Sequence, residues 1–550
     1  MMDNKHKIML SLVLLSGIIL RLPYLELMPS WMWDEGVNMN ISWNLASGRA
    51  QWFTLTYPFI PHPPLFFMIS AFLLKLLGNH LIYMRALTAL YGVWTVFLLY
   101  LVGKEAFDTK TGLFAAFLFA IYPWAIFYNR GAFANNQLML LTVLTLYLYL
   151  RYNKIGKQKW IIYSACTASM AVLTEYTGIA LVVSLAILTY KGQRDLIKKI
   201  FIILVAPLLL FTVIMLYLMP DAFIHDLLFT LNRFSNAILG LIILLAFISV
   251  YRFIPRDKIT PLKEKTKLFY LNIARYALFY GGVASEEETI ERIGYNLKLA
   301  GSILFLLTLY LSLQPLSWQG FYTGLDLYWL GLFGYLVIKP KKTRKQMLAF
   351  CVPLFIIIAG FGRLDHMIMP FYPFFALGLA LLFKEVYLIL TSAFKQTASV
   401  RMIVLAFLII PLAYMGFMDY QTFVEGINPS VPQENMGARL LVSEYVNEQV
   451  TPDDLVLADS HFLRFIGARV SVILQAVAYE GQQILYMSGD YGLNRFTFNC
   501  SYKKAKIIII ADGYMPWLKE NCPQVAEYVS SCKLSRIDSF RVYECGRLGP

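Results

Sequence analysis

Charge is scarce in this chain: Asp, Glu, Lys and Arg make up only 15% of 550 residues, while hydrophobic residues make up 58%. So little charge departs from the composition of a soluble domain. With a mean hydropathy of +0.58, the chain reads as a polytopic membrane protein. Cysteine and histidine are also few, six of each. No two cysteines stand in CxxC spacing, which argues against a zinc site of that kind. There is no P-loop and no glycine-rich fingerprint after a strand, which argues against nucleotide binding. No small-residue cleavage site follows the first apolar stretch, so the short basic Met1 to Lys7 reads as the start of a retained helix with its N-terminus inside. Internal repeats and mid-span charges, expected of a transporter or lipid flippase, are likewise missing.

What is present follows the logic of a bilayer. The net charge of +14 sits in short basic clusters between apolar stretches, as the positive-inside rule distributes it, and implies membrane lipids rather than nucleic acid as the partner. About 13 stretches approach the roughly 20 apolar residues that a crossing needs. They centre near residues 18, 92, 120, 143, 167, 184, 208, 245, 306, 331, 355, 379 and 411. Alternation from an inside N-terminus puts Lys104/Lys110, Arg151 to Lys159, Lys191 to Lys199, Arg252 to Lys298, Lys339 to Lys345 and Lys384 to Arg401 on one side. Residues 255–297 are the ambiguous stretch, an interfacial helix or an extra crossing.

The expected fold class is therefore an α-helical polytopic membrane protein with a small extracytoplasmic α/β domain. Residues 1–420 form the membrane domain, with a first outer loop over 29–82, and residues 421–550 the second domain. In the loop, Met39 to Leu45 and Leu65 to Leu77 read as helices lying in the interface, split by a proline-rich break. In the second domain, Leu455 to Asp459, Lys506 to Asp512 and Phe540 to Cys545 read as buried strands, and Gly437 to Gln449 and Trp517 to Ser531 as helices. Cys500, Cys522, Cys532 and Cys545 fall here, with three pairings open to them in an oxidising compartment.

The opposite side from the basic loops collects different chemistry: Asp34, Glu35, Arg49, His62, Arg85, Arg130, Glu175, Asp221, His225, Asp226, Arg233, Arg363, Asp365 and His366. Ionisable groups at a membrane surface carry a desolvation cost, which marks them as functional candidates. The adjacent carboxylates in Trp31-Met32-Trp33-Asp34-Glu35-Gly36 stand out most. Their bland reading is a helix N-terminus. Glu175, at a span end, reads as a solvated terminus.

The acidic pair, then His62-Pro63-Pro64-Leu65, then Met84-Arg85 opening a span resembles the GT-C membrane glycosyltransferases. The branch is that of the protein O-mannosyltransferases and the lipid A aminoarabinose transferase. Tyr128-Asn129-Arg130 through Asn136, Leu173-Thr174-Glu175-Tyr176-Thr177-Gly178, and Arg363-Leu364-Asp365-His366 before Pro370 to Pro373 extend the likeness over roughly the first 390 residues. His62 stands where the aminoarabinose branch often carries Lys. Ser488-Gly489-Asp490-Tyr491-Gly492 echoes an oligosaccharyltransferase motif without its two tryptophans, and reads as a turn.

The resemblance implies an outer-face active site and a polyprenyl-phosphate-linked sugar donor, mannose or a related hexose or pentose by family weight. The acceptor is a hydroxyl on a lipid, glycan or protein. Transfer to a hydroxyl needs a base and a group that stabilises the departing phosphate. Asp34 is the expected base, with Glu35 as the second candidate for the proton or as a group that positions the acceptor or a divalent cation. His62, Arg85, Arg130, Arg233, Arg363 and His366 are the candidates for the donor phosphate and head group, arginine through its fork of permanent donors.

Overall fold

The computed structural model describes residues 4–26, 33–48, 63–189, 194–218 with 220, 223–224 and 227–228, 327–361, 365–393, 436–463, 465–484 and 492–545. The chain begins with α1 (Asn4–Arg21), whose Ile8, Leu12, Leu15 and Ile19 stay exposed along one face. That spacing of three and four residues is a lipid-facing stripe. Helices α2 (Trp33–Ala46) and α3 (Leu65–Leu77) follow and pack on each other. The expected interfacial helix over Leu65 to Leu77 is present, and the one expected from Met39 begins six residues earlier, taking Asp34 and Glu35 into its first turn.

Next come α4 (Leu81–Ala106), α5 (Thr109–Ala120), α6 (Pro123–Asn129), α7 (Ala134–Ile155), α8 (Gln158–Val172), α9 (Ile179–Thr189) and α10 (Arg194–Leu218). Gly103 and Gly112 let α4 and α5 approach so closely that a Cβ on Gly112 would lie 2.4 Å from the Tyr100 carbonyl. Between α5 and α6 the axis bends by 62°. Pro123 starts α6, where its missing N–H costs nothing. Further on lie α11 (Gly331–Gly334), α12 (Lys341–Phe361) and α13 (Tyr372–Ala393). α11 rests on α13 through glycines: a Cβ on Gly334 would meet the Gly378 carbonyl at 1.7 Å.

Among the described residues three helices are long and apolar enough to cross a membrane: Leu81–Ala106, Asp195–Leu218 and Met367–Glu385. The bent pair α5 and α6 makes up to a fourth. The expectation of about 13 crossings is not reached within them. Three of those stretches, near 245, 306 and 411, lie outside the described residues, as does 255–297. Others are short of a crossing: α8 has 15 residues and α9 has 11.

The basic clusters do gather at one end. Arg151 and Lys154, closing α7, reach Glu105 at 2.8 and 2.9 Å, and Lys384 on α13 reaches Asp108 at 2.6 Å. The other end of α4 carries Arg85, about 28 Å away along the axis from Lys104 at the helical rise.

The C-terminal region is a five-stranded sheet in the order β2-β1-β3-β5-β4. β1 (Leu455–Leu457) pairs in parallel with β2 (Arg469–Ser471) and β3 (Ile507–Ala511). β5 (Phe540–Glu544) runs antiparallel to β3 and to β4 (Lys533–Ile537). Strands β1, β3 and β5 are the three expected from sequence; β2, only three residues long, and the exposed β4 carry no comparable apolar run. Helices α14 (Met436–Asn447) and α15 (Ile473–Tyr479) flank the sheet. The single helix expected from Trp517 is two, α16 (Met515–Asn521) and α17 (Pro523–Ser530), because Pro523 forces Cys522 out of helical conformation. Cys532 and Cys545 are bonded, while Cys500 and Cys522 stay buried thiols. One sheet face packs on α14 through Val442 and Val446. The other shares a core with Val37, Phe66 and Met84 of the outer loop and α4, and the Ser460–Phe462 turn rests on α2.

Candidate active site at the arginine-rich end

Asp34 and Glu35 occupy the first turn of α2, where carboxylates complement the helix dipole. Being adjacent on a helix, they point about 100° apart and meet different surroundings. Glu35 is fully buried. It forms a bidentate pair with Arg85, whose Nε donates to Oε1 at 2.9 Å and Nη2 to Oε2 at 2.6 Å. The Ala132 N–H donates to the same Oε1 at 2.7 Å, and Arg85 Nη1 donates to the Leu25 carbonyl at 2.7 Å. Asp34 is only half-buried. Of the two carboxylates, Asp34 is thus the one left facing partial solvent.

Arg130 caps α6 and is 3% exposed. Its Nη1 donates to the Leu20 carbonyl at 3.2 Å, and its Nη2 to those of Pro23 and Tyr24 at 2.6 and 3.2 Å. Arg85 and Arg130 therefore grip one short segment, Leu20 to Leu25, and lie within electrostatic reach of each other. Tyr24 in that segment holds φ at 55°, a left-handed backbone uncommon for a residue with a side chain.

Sequence reasoning missed a third buried arginine. Arg21, the last residue of α1, is 0% exposed, and donates from Nε to Asn129 Oδ1 at 2.8 Å, from Nη1 to the Ala120 carbonyl at 2.8 Å and from Nη2 to the Phe119 carbonyl at 3.0 Å. Asn129 in turn donates to Asn136 Oδ1 at 2.7 Å, and Asn136 donates to the Tyr128 and Gly131 carbonyls. This network satisfies the backbone broken between α6 and α7, and so presents the Ala132 N–H to Glu35. In the sequence, Arg21 looks like any cation snorkelling at a span end.

His62, Arg233 and Arg363 lie outside the described residues. The backbone of His366 lies in a 3-10 turn (Asp365–Phe371) that packs against α6 and α7, the elements bracketing Arg130. Among the described residues no three His, Cys, Asp or Glu side chains converge as metal ligands. Both oxygens of Glu35 are taken by Arg85, so the acidic pair does not present two open carboxylates to one cation.

Residues 61–219 match the family of dolichyl-phosphate-mannose-protein mannosyltransferases. No curated protein matches the chain. The apo oligosaccharyltransferase of Archaeoglobus fulgidus superposes on 95% of this chain and 72% of its own, with TM-score 0.54 and 14% identity. The chain has the fold of a GT-C membrane glycosyltransferase. Within that GT-C likeness, AglB of the same organism, solved with an inhibitory peptide and a dolichol-phosphate, covers all of this chain and is covered over 75% of its own, at TM-score 0.51 and 13% identity. ArnT of Cupriavidus metallidurans, bound to undecaprenyl phosphate, is a weaker likeness: TM-score 0.48 and 12% identity, over 98% of this chain and 99% of its own. The segment matched to the mannosyltransferase family contains Arg85, Arg130, Asn136 and Glu175, while Arg21, Asp34 and Glu35 precede it.

Proposed function

We propose that this protein transfers a sugar from a polyprenyl-phosphate carrier to a hydroxyl acceptor on the outer side of the membrane, with Asp34 as the base. The observation that carries the reading is the division of labour within the acidic pair. Arg85 and the Ala132 N–H occupy Glu35, while Asp34 stays half-buried one residue away at an end rich in buried arginine. In the reaction the acceptor oxygen bonds to the anomeric carbon as its bond to the phosphate oxygen breaks. The phosphate leaves with the electron pair, and Asp34 takes the acceptor proton. Glu35 fixes the first turn of α2 and so the place of Asp34.

Charge supports the phosphate side. Arg21 is held by neutral oxygens of Asn129, Ala120 and Phe119, so its positive charge adds to that of Arg130 and favours an anion nearby. Arg130, His62, Arg233, Arg363 and His366 are the proposed donor-binding groups, whereas the charge of Arg85 is spent on Glu35. The carrier is proposed from the fold shared with AglB, whose structure holds dolichol-phosphate. Mannose follows only from the matched family's name.

The test is transfer from a polyprenyl-phosphate sugar by the full chain reconstituted in liposomes. Asp34→Asn is expected to lower kcat by about 10²- to 10⁴-fold, the usual worth of a general base, with its thermal unfolding unchanged. Undiminished transfer by that variant would sink the assignment.

A further inference from the structure

Helix α2 grips one residue of the loop that joins α6 to α7, and it does so at two points. The Ala132 N–H donates to Glu35 Oε1 at 2.7 Å, and the Ala132 carbonyl accepts from Asn38 Nδ2 at 2.9 Å. Ala132 is fully buried and Asn38 half-buried. The Asn38 amide must present its nitrogen here, because a carbonyl only accepts. The loop is braced in its own right. Asn136 Nδ2 donates to the Tyr128 and Gly131 carbonyls at 3.0 and 3.1 Å, and the Phe133 N–H donates to the same Gly131 carbonyl at 2.8 Å. A Cβ on Gly131 would lie 2.4 Å from the buried Phe133 ring, so a side chain there would displace it.

Helical geometry says what the second point adds. At about 100° per residue, Asn38 lies about 40° from Asp34 around the axis of α2 and about 60° from Glu35, in the sector between the two carboxylates. It also lies about 4.5 Å further along the axis than Glu35. Every bond to Glu35 acts through one side chain, and the apolar packing of Val37, Met39 and Ile41 is not directional. Asn38 therefore fixes the roll of α2 where Glu35 alone fixes a pivot. A roll of about 10° would move a side-chain end, at a radius of about 5–6 Å, by about 1 Å. That displacement is large enough to cost about 10²-fold in rate. Arg130 stands two residues before Ala132, so their Cα atoms lie within about 7 Å, while its guanidinium is held separately on the carbonyls of Leu20, Pro23 and Tyr24.

We infer that Asn38 is a positioning residue: its bond to the Ala132 carbonyl sets the roll of α2, and so aims the Asp34 carboxylate relative to the loop that carries Arg130. The inference rests on the proposed glycosyl transfer. Base and phosphate-binding group then belong to one braced unit, although they come from distant segments of the chain. Glu35 supplies its charged contact and Asn38 its neutral one.

The experiment measures kcat and the donor KM of the reconstituted full chain for two variants without the amide donor: Asn38→Leu, similar in size, and Asn38→Ala, a better helix former. Each is expected to lower kcat by about 10²-fold and to leave the donor KM unchanged, since Arg130 keeps its own carbonyl partners. Asn38→Gln, which retains an amide, is expected to recover part of the loss. A merely structural role would lower the unfolding temperature and leave kcat of the folded protein at the wild-type value. That outcome overturns the inference, as does failure of both variants to fold. A double variant sharpens the test. If Asn38 acts through Asp34, Asn38→Leu costs little more in an Asp34→Asn background, and two losses that multiply in full overturn the inference. Hydrogen exchange tests the grip apart from catalysis. The amides of α2 are expected to exchange faster in Asn38→Leu than in the wild type, and equal rates also overturn the inference. Should the wild type move no sugar, the transfer reading fails on its own, and exchange still decides whether Asn38 holds α2.

Discussion

Glu35 and Arg85 stand 50 residues apart in sequence and meet with three hydrogen bonds fixed by one guanidinium, two to the carboxylate and one to the Leu25 carbonyl. Both ions are out of water, so removing one strands the other. Arg85→Ala is expected to cost about 3–5 kcal/mol, the penalty for an uncompensated buried charge, read as a lower unfolding temperature in detergent. Arg85→Lys is expected to recover little of it, because an ammonium cannot reproduce the planar fork. The double variant Glu35→Gln/Arg85→Gln is expected to be more stable than Arg85→Ala, since it leaves no ion behind. Asp34 answers to a different test, loss of turnover with the fold intact. Two adjacent carboxylates that look alike in the sequence are thus expected to fail in different ways.

At the scale of elements, the helices of the membrane region approach each other through glycine. α4 and α5 cross where Gly112 faces Tyr100 and Lys104, with no room for a methyl group. Packing of small residues is what draws helices together in lipid, where no hydrophobic force distinguishes helix from solvent. Gly112→Ala is expected to destabilise by about 1–3 kcal/mol, the usual cost of overpacking, measured by thermal unfolding, while kcat well below the unfolding temperature stays near wild type. The loop helices α2 and α3 obey the opposite rule. They bury Val37, Met39, Ile41, Phe66 and Phe67 in one core with the C-terminal sheet and with Leu81 and Met84 at the start of α4. Apolar length alone gave Leu65 to Leu77 as a helix lying short of a full crossing, and the bonded Leu65 N–H at its start confirms where that helix begins.

For the whole molecule, the two ends of the helix bundle differ in kind. One end holds Lys and Arg paired with Glu105 and Asp108 near solvent. The other holds Arg21, Arg85 and Arg130 buried among carbonyls and one carboxylate. The positive-inside rule predicts that the buried-arginine end and the C-terminal sheet lie outside. Single cysteines placed at exposed Lys533 on β4 and Lys157 at the start of α8 test this in intact cells carrying a background without Cys166. An impermeant maleimide is expected to label position 533 and to spare 157; the reverse pattern would invert the topology. Composition and hydropathy by themselves determined the membrane class, three of the five strands, the separate basic and acidic-arginine ends, and the candidacy of Asp34, because each depends on local pattern or on the partition of charge between water and lipid. Partnership was decided only in three dimensions. That Glu35 pairs with Arg85, and that Arg21 is buried against Asn129 rather than snorkelling, depend on contacts across tens to more than a hundred residues, where no short-range pattern in the chain records which side chains meet.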